Sequence, residues 1–87
     1  MPDTEQLWLV ERTYTDRDLV VLVYATADGR RRRRKELASS MLERTTVTAA
    51  IEVDMDDLDT VDDEVTRERY AVEVERVRGS HDPDDPI

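Results

Sequence analysis

Asp18-Leu19-Val20-Val21-Leu22-Val23-Tyr24-Ala25-Thr26-Ala27-Asp28-Gly29 is the most informative stretch of the chain. From Leu19 to Ala25 every side chain is apolar or aromatic, and β-branched valines dominate, which favours a strand. Alternate residues of a strand point to opposite faces, so this one has no face to offer water. It is therefore expected at the centre of a sheet, covered on both sides. Asp28-Gly29 then suits a two-residue type I′ turn, whose central positions both need φ > 0.

Working outward, residues 6–15 (Gln-Leu-Trp-Leu-Val-Glu-Arg-Thr-Tyr-Thr) read as a preceding strand and residues 30–37 as a following one. With Asp16-Arg17 as a two-residue break, the three form an antiparallel meander around residues 18–27. That register sets Tyr14 opposite Leu19, Val10 opposite Val23, Trp8 opposite Ala25, Leu9 opposite Tyr24 and Thr13 opposite Val20. It also sets Arg33 opposite Tyr24, in reach of a cation–π contact. Trp8 and Tyr14, at alternating strand positions, are both expected in the core.

The rest of the chain supplies cover. Leu37, Met41 and Leu42 fit one helical turn after a break at Ala38-Ser39-Ser40. Residues 45–53 alternate, with Val47, Ala49, Ile51 and Val53 on one face. Residues 67–78 alternate as well, with Tyr70, Val72 and Val74 inward and Glu73 and Glu75 outward, and read as a last strand. Between them Leu58, Val61 and Val65 stand at helical spacing, with Asp54 and Asp56 as N-terminal caps. Residues 79–87, holding Gly79, Pro83 and Pro86, read as a disordered acidic tail after a single β-rich domain at 1–78. The expected fold is mainly β: a small antiparallel sheet or partly open barrel of about five strands with one or two short helical turns. An α+β layering is the alternative.

Eighty-seven residues suffice for one domain with a modest core, burying roughly 60–65 % of the unfolded surface. No cysteine is present, so packing and backbone pairing must hold the fold. Forty per cent of residues are charged, the net charge is −9, and Lys35 is the only lysine among thirteen basic side chains. Asparagine and phenylalanine are absent. This acidic, aspartate-rich, lysine-poor profile resembles that of haloarchaeal cytoplasmic proteins, whose carboxylate surfaces stay hydrated in concentrated potassium chloride. The resemblance is one of composition. With no apolar stretch of membrane-spanning length and an acidic start (Met1-Pro2-Asp3-Thr4-Glu5), a cytoplasmic location is expected.

One run opposes this background. Arg30, Arg31, Arg32, Arg33, Arg34 and Lys35 are six consecutive basic residues. On a strand, Arg30, Arg32 and Arg34 share one face while Arg31, Arg33 and Lys35 share the other. Unpaired charges are too costly to bury, so the run is expected at a sheet edge, with solvent or carboxylates on both sides. Pairing with the chain's own carboxylates, Glu73 and Glu75 among them, would make it a charge-paired edge. A free strip would make it a phosphate-binding surface, since arginine suits phosphate geometry. Against that stands the lack of any aromatic residue within the run for base stacking.

Catalytic inventory is thin. His81 is the only histidine, and it falls in the expected tail. Ser39 and Ser40 have no histidine base within the domain. Two glycines fifty positions apart cannot form a phosphate loop. The acidic run from Asp54 to Glu64 fails as a calcium loop: from Asp54, the fifth position is Leu58, the glycine position is Asp59 and the twelfth is Val65. No enzyme activity, cofactor or metal is expected. The sequence points to a non-catalytic protein-interaction or accessory module, acting on another protein or by self-association as a homodimer and not on a membrane. The alternative is a small nucleic-acid-binding protein using Arg30 to Lys35.

Overall fold

The computed structural model describes residues 3–15, 18–42 and 46–87. Along the chain come β1 (Thr4–Tyr14), β2 (Leu19–Ala25), β3 (Arg31–Ala38), a short helix α1 (Ser39–Leu42) and β4 (Ala50–Asp54). A 3-10 turn (Met55–Asp57), β5 (Asp59–Thr60) and the helix α2 (Glu64–Ser80) follow. The fold is mainly β, as expected: the five strands form one open antiparallel sheet in the order β4-β1-β2-β3-β5.

β4 and β5 occupy opposite edges of this sheet, yet only residues 55–58 join them. In a flat sheet the two would lie about 19 Å apart, at ~4.8 Å per strand. Five residue steps reach at most ~17 Å fully extended, and a 3-10 turn shortens that further. The sheet must therefore curl, drawing its edges together on one side. That side encloses Leu7, Leu9, Val20, Leu22, Tyr24 and Val47, with Leu37, Ile51, Val53 and Leu58 packed against them. The opposite side carries Trp8, Val21, Val23, Ala25, Ala50 and Val61 beneath Tyr70, Val74 and Val77 of α2. β2 is central and buried on both faces, as its composition requires.

The register departs from expectation at one place. Trp8 pairs with Ala25 and Leu9 with Tyr24, but a bulge at Val10 shifts the rest, so that Glu11 faces Val23, Arg12 faces Leu22 and Tyr14 faces Val20. One extra residue on a bulged strand flips everything beyond it to the other face. Tyr14 thus leaves the face of Trp8 and is 64 % exposed, whereas Trp8 is buried. The expectation that both are core holds for Trp8 alone. The connection is also one residue longer: Thr15 N–H donates to Leu19 O at 2.8 Å, and Asp18 takes the left-handed φ of 57° that such a loop needs. Asp16 and Arg17, the expected break, lie outside the described residues.

The second hairpin keeps the expected register, Tyr24 opposite Arg33, with a different turn. Thr26 N–H donates to Arg31 O and Gly29 N–H to Thr26 O, so the loop is four residues rather than two, with φ +73° at Gly29. Loops of two and four residues centred on Asp28-Gly29 preserve the same pairing, which is why the register survives. Thr26 Oγ1 donates to Asp28 Oδ1 at 2.6 Å, and Arg30 N–H donates to the same oxygen at 2.9 Å.

The larger correction concerns residues 67–78, which are helix and not strand. Tyr70, Val74 and Val77 are buried at i, i+4 and i+7, while Val72 is 62 % exposed. Residues 70, 72 and 74 alternate just as well, so the apolar pattern alone is ambiguous here. Capping breaks the tie: Asp63 accepts from Thr66 N–H at 3.1 Å and from Thr66 Oγ1 at 2.6 Å, and Arg78 stands in the last turn. The helix expected at Leu58, Val61 and Val65 is absent among the described residues. Leu58 joins the curled side, Val61 the helix side, and Val65 is exposed. Asp54 makes no side-chain cap.

β4 begins at Ala50, later than expected; Thr45 lies outside the described residues, and Ala49 turns toward the helix side while Val47, Ile51 and Val53 face the curled side. The last nine residues do not leave the domain. α2 continues through Ser80, and the segment after it runs antiparallel to residues 47–50. Ala49 N–H donates to Asp85 O, Ala50 N–H to Pro83 O and Ile87 N–H to Val47 O. Two prolines, read from sequence as a sign of disorder, instead lie within a strap: Pro83 O accepts from Ala50 N–H and Pro86 bridges Thr48.

Candidate binding strip on strand β3

β3 carries Arg31 to Lys35, with Arg30 closing the preceding turn. Pairing through β2 fixes what shares each row. On the curled side one row runs Leu9, Tyr24, Arg33, the next Arg12, Leu22, Lys35, and the last Tyr14, Val20, Leu37. On the helix side the rows are Trp8, Ala25, Arg32, then Glu11, Val23, Arg34, then Thr13, Val21, Glu36. Arg12 and Tyr14 therefore stand on the same face as Arg33 and Lys35. Sequence parity placed them on the other face; the bulge at Val10 brings them across, and only an unpaired residue in β1 could have signalled it.

The partners of the six basic residues divide them. Arg34 forms an ion pair with Glu36 at 3.0 Å along its own strand. Arg32 Nη1 donates to Tyr70 Oη at 3.3 Å and is partly buried beneath α2. Arg33 Nη1 donates to the carbonyl of Asp57 at 3.4 Å. Among the described residues, Arg30, Arg31, Arg33 and Lys35 make no carboxylate pair. Glu73 and Glu75, the expected partners, are held by Arg76 and Arg78 one turn along α2, at 3.0 and 3.4 Å. The expected Arg33–Tyr24 cation–π contact is replaced by Arg69 over Tyr70, 5.8 Å from the ring centroid. Tyr24 is buried, which raises its pKa above the ordinary phenol value, with Arg12 opposing the shift.

The edge position of the run is nearly as expected. β5 covers β3 only opposite Arg31 and Arg32, leaving Arg33 onward as the outermost strand on that side. At the covered end of the strip Asp57 offers its carbonyl to Arg33 and Asp59 lies in register with Arg32. Beneath Arg32 and Arg34, on the helix side, lies a groove of about 490 Å³ shared with Glu11, Thr13 and Tyr70. A second cavity of about 300 Å³ sits between the β1 bulge, the end of α2 and Ile87. His81 is on its wall, with Nδ1 buried and, among the described residues, without a hydrogen-bond partner.

A curled five-stranded sheet backed by one helix, with a basic strip on a half-covered edge strand, defines the type of module. The chain belongs to a family of unknown function, DUF7967, whose model spans residues 1–87. No curated protein and no solved structure matches it. No helix among the described residues is long and apolar enough to cross a membrane.

Proposed function

We propose that this protein is a non-catalytic interaction module that binds another protein through β3. The observation that carries the reading is the exposed run Arg33, Arg34 and Lys35 on an edge without a neighbouring strand. Among the described residues Arg33 and Lys35 meet no carboxylate, and Arg34 pairs only with Glu36 of its own strand. In an acidic cytoplasm of haloarchaeal type, acidic partner surfaces are plentiful and a basic edge discriminates among them by local complementarity. At molar salt the Debye length is about 3 Å, so contact pairs matter more than the overall −9 charge.

A second reading, nucleic-acid binding, is favoured by the juxtaposition of exposed Arg12 and Tyr14 with Arg33 and Lys35 on one sheet face. The two are separated by titrating a labelled poly-glutamate decapeptide, single-stranded RNA and duplex DNA. Wild type is compared with Arg31→Ser/Arg33→Ser across a potassium chloride series. The leading reading expects the peptide to bind and the double variant to weaken it at least fivefold. RNA or DNA binding that outcompetes the peptide would transfer the strip to the second reading.

A further inference from the structure

The phase of the β2–β3 ladder follows from two hydrogen bonds. Thr26 N–H donates to Arg31 O, and Ser39 N–H donates to Asp18 O. In an antiparallel pair the inward-bonding residues alternate, so residues 31, 33, 35, 37 and 39 spend their backbone groups on β2. Residues 30, 32, 34 and 36 therefore direct theirs outward. Val61 N–H donating to Arg30 O at 2.8 Å agrees with that phase, and Asp59 covers Arg32. Beyond β5, the N–H and C=O groups of Arg34 and Glu36 have no partner among the described residues, and both side chains are about half exposed or more (60 and 47 %). Two alternate residues with free donors and acceptors are the docking unit for an added strand.

We propose that this edge takes an acidic, extended peptide segment of a partner protein as an additional β-strand beside β3. The inference rests on the protein-binding reading above and names its ligand. Side-chain charge selects the occupant. Arg33 and Lys35 stand on one face of the edge at i and i+2, so a strand with carboxylates at alternate positions meets both, as directly opposed cross-strand pairs do. A second β3 docked antiparallel on the same outward groups would set Arg34 against Glu36, but Lys35 against Lys35 and Arg33 against Leu37, so it answers Arg33 and Lys35 less well than an acidic strand does. A nucleic-acid backbone matches the edge less well: its phosphodiesters are acceptors alone, and the RNA 2′-OH donors do not repeat with the alternating N–H and C=O spacing of a strand.

The probe is a blocked octapeptide, Thr-Glu-Val-Glu-Val-Asp-Val-Thr, titrated into the full chain while amide exchange is followed by NMR. Binding is expected to protect the N–H groups of Arg34 and Glu36 at least tenfold and to weaken from 0.1 M to 1 M potassium chloride. Glu36→Pro removes an outward N–H without costing a β2 hydrogen bond, so the sheet should persist while affinity falls at least tenfold. Should that variant unfold, the same peptide N-methylated at alternate residues replaces it and should bind at least tenfold more weakly on one methylation phase only. Peptide binding that depends on Arg33 and Lys35 but leaves both amides unprotected would overturn strand addition and keep the protein-binding reading. No peptide binding alongside RNA or DNA binding would overturn both. Concentration-dependent oligomers abolished by Glu36→Pro would assign the edge to a second copy and overturn the proposed ligand.

Discussion

Gly29 packs directly beneath Arg67: a Cβ at position 29 would lie 2.1 Å from the Arg67 carbonyl oxygen and 3.0 Å from Ala71 N. The β2–β3 turn and α2 thus meet backbone to backbone, at a residue that also holds φ +73°. This contact, with the bond from Arg67 Nε to the Val61 carbonyl, seats the helix on the sheet. Gly29→Ala combines a left-handed backbone penalty of about 1–2 kcal/mol with displacement of the helix. Urea unfolding is expected to show a loss of about 2–4 kcal/mol in all. A loss under about 0.5 kcal/mol would mean the turn and helix are not in contact.

The helical assignment of residues 64–80 makes two neighbouring valines behave differently. Val74 is fully buried and Val72 is 62 % exposed. Val74→Ala should cost about 1–3 kcal/mol through lost burial and the cavity left behind. Val72→Ala should be neutral or slightly stabilising, since alanine is the better helix former. Equal costs at both sites in thermal unfolding would point to the strand expected from alternation.

Asp28 accepts from Thr26 Oγ1 and from Arg30 N–H, and those hydrogen bonds hold its carboxyl below the ordinary value. The unfolded chain, with the higher pKa, binds the proton first, so stability rises with pH through this group. Its contribution is present above about pH 4 and is lost as pH falls through the depressed folded value. Asp28→Asn should flatten the stability profile below about pH 4 relative to wild type, with Asp63 and its bonds to Thr66 accounting for part of the remaining slope. Unchanged slope in urea titrations from pH 2 to 5 would remove Asp28 from the acid response.

The strap formed by residues 82–87 leaves a measurable trace if cut away. Deleting those residues frees the amides of Ala49 and Ala50 and uncovers Val47 and Val10 beside Ile87. The melting temperature should fall, and both amides should exchange at least tenfold faster. An unaltered exchange pattern would return the segment to the disordered tail its composition suggests.

Much of the sheet was legible because β2 leaves no ambiguity. An unbroken apolar strand must be central, and an arginine run must be near an edge; both follow from the cost of exposing one and burying the other. The register around Asp28-Gly29 was equally secure, since either loop length compatible with that pair conserves it. Residues 67–78 were misread because their valines and tyrosine satisfy two periods at once. The deciding signal, Asp63 three residues before Thr66, lay just outside the alternating stretch.

The candidate site divides the same way. Sequence by itself determined that the run from Arg30 to Lys35 would lie largely exposed beside β2, because six adjacent like charges admit no full burial in so small a core. Only the tertiary structure decided which residues share that surface. The bulge at Val10 moves Arg12 and Tyr14 across the sheet, the short link through residues 55–58 brings β5 over Arg31 and Arg32 alone, and α2 claims Glu73 and Glu75 for its own arginines. Each of these depends on where distant segments pack and on how a twisted sheet closes, and local periodicity carries no record of either.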